Sequence, residues 1–451
     1  MGKTKQKQDR SHYLFSNREL IGPLVIEQLL AVFVGMADSI MVANVGEAAV
    51  SGVSLVDNIM ILIINIFAAL ATGGAVVAGQ YIGRKDEKSA CKAATQLVWF
   101  VSFSAVAIMI LVYFGKDIIL NQVFGHITAE VKGHADIYLL IVTASIPFIA
   151  LYNGGAAIFR AMGNSQVSMR VSLLMNAINV TGNAILVIGL RIGTVGVAIP
   201  TLISRMVAAI VITVLLCNQT RILHIERTLK IRFDGRMIRK ILAIGVPNGL
   251  ENSMFQLGKI LVLSLVSTFG TYAIAANAVS NAIALFQILP GMAISLAITT
   301  VISQCVGAND YEQVHYYLKK LLAIIYVAMV GTVALIFLAL PLILKAYNLS
   351  DQTVAAATNI IHFHGISAMI IWPLSFALPA AYRAAGDAKA CMYTSIVSMW
   401  IFRIGFSYLV GKYMGLGVFG VWIAMVIDWV VRAICFIIRY FNGKWKHGAI
   451  V

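Results

Sequence analysis

Acidic and amide side chains inside long apolar runs are the residues of this sequence with the clearest potential for chemistry. Asp38 lies in Val34-Gly-Met-Ala-Asp-Ser39, within the first such run. A charged group at membrane depth costs at least about 2.5–3.5 kcal/mol on insertion scales, so it is by default a candidate for binding an ion or a substrate. Asp38 is therefore the leading candidate for a site that holds a cation or a proton.

Three further side chains with oxygen atoms are expected to join Asp38. Asn179 and Asn183 are four residues apart, so they lie on one face of a predicted helix. Thr201 belongs to the next predicted helix. These groups could supply the oxygen ligands that a desolvated hard cation such as Na⁺ needs, and we expect no other metal. The alternative is an Asn–Asp hydrogen-bond network that only holds the helices together.

Three other acids in apolar runs are candidates for a substrate site or a second acidic site. Glu27 and Glu251 occupy equivalent places in the two halves of the chain. For Glu251 the choice between binding a substrate or proton and forming an ion pair stays open, because Lys259 lies eight residues on, close to the same helix face. Asp57, two turns into the second predicted helix, is a secondary candidate.

The remaining charges inside the predicted helices give less support to a site. Asp428 and Arg432 are spaced four residues apart, so a self-contained ion pair is the expected arrangement. Few Arg residues occur in mid-helix, and we expect no broad basic cavity. The five cysteines form no CxxC pair and have no metal-site spacing.

The elements that must position these residues are transmembrane helices. Of the 451 residues, 60% are hydrophobic and only 12% are charged, against roughly 25% charged in soluble domains. Apolar runs such as 242–266 and 324–344 meet or approach the ~20 residues that cross a bilayer. The net charge of +15 does not indicate nucleic acid as a partner, because Lys and Arg recur at the ends of these runs. We therefore expect an all-α polytopic membrane protein with the lipid bilayer as its solvent.

Breaks in the apolar runs divide the chain into twelve predicted transmembrane helices. These are expected near residues 18–44, 48–82, 92–115, 134–161, 166–190, 195–217, 240–268, 272–306, 316–346, 354–385, 389–411 and 416–440. The asymmetry of Lys and Arg between the connections predicts that both termini are cytoplasmic, in a plasma (inner) membrane. The basic start leads into an apolar run without a small-residue cleavage site, so we expect no removable signal peptide.

The predicted helices form two lobes. We expect a cytoplasmic tail at 1–17, a six-helix lobe at 18–217, a cytoplasmic linker at 218–239, a second six-helix lobe at 240–440 and a tail at 441–451.

The two halves of the chain match each other at a spacing of 223 to 224 residues. The matching segments are Pro23-x-x-x-Glu27 with Pro247-x-x-x-Glu251, Gln80-Tyr-Ile-Gly83 with Gln304-Cys-Val-Gly307, Phe159-Arg-Ala-Met-Gly-Asn164 with Tyr382-Arg-Ala-Ala-Gly-Asp387, and Gly193-x-x-Gly196 with Gly417-x-x-Gly420. With six crossings each, the halves are parallel repeats that enclose a cleft, as in transporters that expose a midplane site alternately. Asp38 corresponds to Val262, which favours a task held by one lobe.

The order and spacing of these motifs over residues 15–440 resemble the multidrug and toxic compound extrusion (MATE) family. The resemblance implies a V-shaped pair of lobes, export of organic cations and coupling to inward Na⁺ or H⁺ movement. It also implies a cation or proton site at Asp38, Asn179, Asn183 and Thr201. Many relatives carry Asp where this chain has Asn183, so the choice of Na⁺ or H⁺ stays open. Glu251 is the nearest match to a family acid that attracts cationic substrates.

The leading hypothesis is a secondary active multidrug efflux antiporter, acting as a monomer on small cationic amphiphiles, with no cofactor. The alternative is a flippase for a lipid-linked precursor or another amphiphile, which would usually need a basic cavity for phosphates. A membrane enzyme or receptor is disfavoured, because the sequence has no nucleophile–base set, cofactor motif or effector domain.

Overall fold

The computed structural model describes residues 17–226 and 232–451. The predicted tail therefore lies outside the described residues except for its last position, and so does part of the predicted linker. The described residues form twelve long helical segments, in the order of the prediction. These are α1 Asn17–Ala43, α2 Glu47–Gly83, α3 Glu87–Phe114, α4 Ala129–Thr143 with Ile146–Ala161, α5 Ser165–Gly189, α6 Val195–Leu216, α7 Gly235–Ser267, α8 Thr271–Gly307, α9 Tyr311–Ala346, α10 Asp351–Ala384, α11 Ala388–Tyr413 and α12 Gly417–Asn442.

Ten of these segments are long and apolar enough to span a membrane as they stand. α4 makes an eleventh span if its two parts, bent by 49°, count as one. The bend falls just before Pro147, whose ring disfavours a straight helix at that point. α7 has 33 residues, which is long enough, but Asn248, Glu251, Gln256 and Lys259 interrupt its apolar sequence. One of these polar residues, Glu251, is a candidate site residue.

Several helices begin earlier than the apolar runs predict, because polar residues cap them. Asp86 accepts a hydrogen bond from the Ser89 amide at 3.1 Å at the start of α3, and Asp310 accepts one from the Gln313 amide at 3.1 Å at the start of α9. The two aspartates are equivalent in the repeat. A side chain that satisfies the free amides of the first turn lets the helix extend beyond the apolar segment.

The turns of the repeated Arg-containing motifs require glycine. Gly163 and Gly386 follow α4 and α10 with φ of 78° and 95°, in the left-handed region that glycine adopts without a steric penalty. Each turn directs the chain into the next helix of its lobe, so both lobes reverse direction in the same way.

The two lobes, α1–α6 and α7–α12, meet at the face that carries the described residues 217–226, 232–234 and 443–451, which we call the linker face. Gln80 of α2 donates to the Ala384 carbonyl at 2.9 Å, and Gln304 of α8 donates to the Ala161 carbonyl at 2.7 Å. These two hydrogen bonds are related by the internal repeat.

Two glycines allow α2 and α8 to cross closely at the linker face. A Cβ on Gly83 would collide with the Gln304 carbonyl, and one on Gly307 would collide with the Gln80 carbonyl. Among the described residues, the side-chain hydrogen bonds between the lobes lie at this face. These hydrogen bonds therefore join the lobes at the linker face.

Candidate functional site

The structure brings Asp38, Asn179, Asn183 and Thr201 together in the N-terminal lobe. The Asn183 side-chain amide donates to Asp38 Oδ1 at 2.8 Å. The Asn179 amide lies between Asp38 and Thr201. With its nitrogen towards the carboxylate it donates to Asp38 Oδ1 at 2.8 Å and Oδ2 at 3.2 Å, and its oxygen accepts from Thr201 Oγ1 at 3.1 Å. All four side chains predicted for a cation site thus form one connected cluster.

The cluster has one buried oxygen without a partner. Asn183 is fully buried, and its Oδ1 accepts no hydrogen bond. A buried carbonyl oxygen without a partner costs free energy, and a bound cation would remove that cost. Asp38 is only half-buried, so its carboxylate is the more accessible side of the cluster and the two amides are the buried side. Carboxylate and amide oxygens are ligands that Na⁺ can use, and the carboxylate alone suits a proton.

Asp57 lies in a second polar group of the same lobe. Its Oδ1 accepts a hydrogen bond from the buried Tyr138 hydroxyl at 2.9 Å. Arg205 of α6 donates to Ser145 Oγ at 2.9 Å, and its charge acts on both Asp38 and Asp57. The lobe therefore holds two carboxylates near one guanidinium. Tyr138 was not predicted as a member of this group, because nothing in its local sequence marks it.

Glu27 and Glu251 both form ion pairs with arginines of the repeated turns. Glu27 Oε1 is 3.4 Å from Arg160 Nη1, and its Oε2 accepts from Ser168 at 3.0 Å. Glu251 Oε2 is 3.3 Å from Arg383 Nη1. The pairing residue for Glu251 is thus Arg383 and not Lys259. The repetition of the pair in both lobes matches the structural role considered for these acids.

We expect the pairing of Glu27 with Arg160 to contribute about 1–3 kcal/mol to the free energy of unfolding, since both side chains are mostly buried. Arg160→Met should lower the unfolding temperature in detergent, and Glu27→Gln in the Arg160→Met background should restore part of the loss. The same double-mutant cycle at Glu251 and Arg383 is the matched comparison. If the single variants of a pair leave the unfolding temperature unchanged, show no coupling in the double variant and abolish transport, the acid of that pair would instead be assigned to substrate or proton binding.

The expected Asp428–Arg432 ion pair is present in α12, with Arg432 Nε 2.9 Å from Asp428 Oδ1 and both side chains buried. Although few Arg residues occur in mid-helix, the C-terminal lobe does contain a cluster of basic side chains, which the sequence analysis did not predict. The guanidinium carbon of Arg403 and the ammonium of Lys259 each lie 4.9 Å from the centre of the Phe255 ring, and the guanidinium carbon of Arg432 lies 5.9 Å from it. The sequence does not indicate that these three cations come together, because they belong to α7, α11 and α12, which are far apart in the chain.

Fold and site together define a two-lobed membrane transporter with a polar ion-binding candidate in one lobe. The MatE family model matches the chain twice, over residues 23–185 and 247–409, so each lobe carries one copy of the family's repeat. The chain belongs to the MatE family, as the sequence motifs predicted.

Curated relatives cover almost the whole chain. An uncharacterized transporter of Bacillus subtilis, YisQ, is 28% identical over 98% of this chain and 96% of its own length. The "Probable multidrug resistance protein NorM" of Thermotoga maritima is 22% identical over 95% of this chain and 92% of its own length.

Solved structures confirm the fold. A multidrug resistance MATE family transporter of the MOP superfamily in an outward-facing conformation has a TM-score of 0.88 and 23% identity, with 94% of each chain covered. MATE in the bent conformation has a TM-score of 0.84 and 22% identity, with 94% of this chain and 93% of the other covered. The protein is therefore a multi-pass membrane transporter with the MATE fold.

Proposed function

We propose that this protein is a secondary active efflux antiporter that exports small amphiphilic molecules in exchange for Na⁺ or H⁺ by alternating access. It has no enzymatic activity in this proposal, works as a monomer and lies in the plasma (inner) membrane with both termini cytoplasmic. The observation that carries the proposal is the Asp38 cluster with the partnerless Asn183 oxygen, placed in one lobe of a MatE protein.

Neutralisation of Asp38 is the step that couples ion binding to movement of the lobes. Without a cation, the half-buried carboxylate favours the state in which it keeps contact with water, because full burial of an unpaired charge is costly. With Na⁺ or a proton bound, that cost falls and the lobe can repack around the site. A ligand shifts such an equilibrium only by its difference in affinity for the two states.

Multidrug export is supported by the names of relatives such as the NorM protein. Organic cations, the class that the resemblance implies, stay part of the proposal. In the N-terminal lobe, Asp38 and Asp57 have no arginine or lysine within 4.0 Å among the described residues, and they are the acids that would attract such cations. Glu27 and Glu251 are each paired with an arginine, so they contribute less attraction.

A lipid flippase is the second candidate, because the C-terminal lobe gathers Lys259, Arg403 and Arg432 around Phe255. Such a cluster could contact the phosphate of a lipid headgroup. Drug export and lipid transport predict different cargoes under the same ion gradient, so one preparation can test both.

The test is transport by the purified protein in liposomes with separately imposed Na⁺ and proton gradients. We expect efflux of a fluorescent organic cation such as ethidium with one of the two gradients, and loss of efflux when an ionophore collapses that gradient. A fluorescent phospholipid in the same membranes should move no faster than in protein-free liposomes. Efflux independent of both gradients would contradict the antiporter, and lipid movement without drug efflux would favour the flippase.

A further inference from the structure

The C-terminal lobe contains a cavity of about 490 Å³ between α7, α8, α10, α11 and α12. This volume is in the range of sites that bind drug-sized molecules. Its wall is mainly apolar and aromatic, with the rings of Phe255, Trp372, Phe376, Trp422 and Trp429. Such a wall favours a ligand with a flat, apolar body.

Two cations line this cavity without a balancing acid. Lys259 and Arg403 both belong to the wall, and each contacts the face of Phe255. Among the described residues, neither has a carboxylate oxygen within 4.0 Å. Two like charges beside one aromatic ring, in a mainly apolar wall, repel each other and are costly to desolvate. An anion between them would reduce both costs.

Asp428, the acid behind the cavity wall, is already paired with an arginine. Asp428 Oδ1 accepts from Arg432 Nε at 2.9 Å and from Ser398 Oγ at 2.5 Å, so its charge is matched by that of Arg432. The other titratable group of the wall, His364, has its Nδ1 2.5 Å from Gln287 Oε1 and its ring against Trp422 and Trp429. Within the described part of the chain, Lys259 and Arg403 therefore leave the cavity with an excess of positive charge.

The internal repeat shows that Lys259 and Arg403 belong to one lobe only. Arg403 lies in Met399–Gly405, one of five π-helical segments among the described residues. At the repeat spacing, Lys259 corresponds to Gly35 or Met36, and Arg403 corresponds to Asn179 or Val180. None of these carries a charge, so the positive cavity is a feature of one lobe and not of the fold.

We propose that this cavity is a substrate site for organic anions, with an aromatic body against the tryptophans and a carboxylate or sulfonate between Lys259 and Arg403. The guanidinium of Arg403 can bind such a group through two parallel hydrogen bonds. The proposal rests on the proposed function in one respect, since it names a substrate class for that exporter. This substrate class differs from the organic cations that the sequence predicts. The acids that would attract such cations, Asp38 and Asp57, lie in the other lobe.

The test is equilibrium binding of two radiolabelled probes of similar shape and opposite charge, 1-naphthoate and 1-naphthylmethylammonium, to the whole protein in nanodiscs of phosphatidylcholine. We expect saturable binding of 1-naphthoate, with the affinity reduced about tenfold to a hundredfold in the Lys259→Gln, Arg403→Gln double variant. The cation should bind more weakly, and the double variant should not weaken it further. Equal binding of both probes by the wild type would overturn the proposal.

Two control variants separate the cavity from general effects of charge and folding. Lys345→Gln with Lys412→Gln removes two exposed positive charges from the same lobe outside the cavity, and 1-naphthoate affinity should stay within about twofold. Arg403→Lys keeps the charge but not the two parallel hydrogen bonds, so its affinity should lie between those of the wild type and the double variant. Equal loss in the control pair would overturn the proposal.

One further arm distinguishes soluble anions from lipid headgroups. The binding of 1-naphthoate is measured again in nanodiscs that contain phosphatidylglycerol. If phosphatidylglycerol displaces 1-naphthoate and the same amount of phosphatidylcholine does not, the cavity binds an anionic headgroup, and its assignment to soluble anions is overturned. Binding is measured without an ion gradient, so it does not depend on coupling. Failure to bind 1-naphthoate with coupled ethidium efflux intact would remove only this inference.

Discussion

Asp38→Asn is expected to reduce gradient-driven efflux to the level of protein-free liposomes. In the wild type, Asn183 Nδ2 lies 2.8 Å from Asp38 Oδ1. The variant keeps the size of the side chain and this contact, but it removes the only carboxylate of the cluster. Without that charge the cluster cannot bind a proton and holds Na⁺ with neutral oxygens alone. The measurement is efflux at fixed substrate concentration under the gradient that drives the wild type.

Asp351→Asn is the matched control for Asp38→Asn. It removes an exposed carboxylate at the start of α10, away from both lobes' polar clusters, and efflux should remain at the wild-type rate. Binding of a transported substrate to the Asp38→Asn protein should persist, since the variant removes coupling and not the fold. Full gradient-dependent efflux in Asp38→Asn would remove Asp38 from the mechanism and leave the cluster as a contact between helices.

Arg432→Met is expected to destabilise the protein by about 3–5 kcal/mol, because it leaves a buried carboxylate without its counter-charge. Asp428 is fully buried, and its Oδ2 already has no hydrogen-bond partner. Arg432 also donates to the Ser395 carbonyl at 3.2 Å, so its loss frees a second buried acceptor. Denaturant unfolding in detergent, or the unfolding temperature where the transition is irreversible, measures the effect.

The rescue variant separates charge from packing. Asp428→Asn in the Arg432→Met background removes the unpaired charge, and it should recover more than half of the lost stability. Lys412→Met, an exposed position in the same lobe, should change stability by less than about 0.5 kcal/mol. A double variant as unstable as Arg432→Met alone would show that the guanidinium acts by filling space and not by compensating Asp428.

The sequence was sufficient to predict the twelve helices and the two lobes, because the length of apolar runs reports directly on crossing a bilayer. Helix starts were less predictable, since polar caps such as Asp86 and Asp310 lie outside those runs. The bend of α4 before Pro147 is a local feature that the length of an apolar run does not report.

The candidate site was predictable where residues were close in sequence or matched the family pattern. Asp38, Asn179, Asn183 and Thr201 come together as expected. The partner of Glu251 was not predictable, because local helix spacing indicates Lys259, whereas Arg383 reaches Glu251 from another helix. Contacts between distant helices depend on how the lobe packs, and a single sequence does not report this.

The opposite charge of the two polar sites, one in each lobe, bears on the electrical balance of transport. Among the described residues, the charges of Asp38 and Asp57 in the first lobe are opposed by that of one arginine, Arg205. In the second lobe, Lys259 and Arg403 line the cavity, and no acidic residue lines it with them. Inward passage of a cation and outward passage of an organic anion would both carry positive charge inward. Each charge that crosses the membrane contributes about 2.3 kcal/mol per 100 mV. A cycle that moves one cation inward and one organic anion outward would therefore gain twice this free energy from a negative interior. An exchange of two monovalent cations moves no net charge, so the membrane voltage would not drive it.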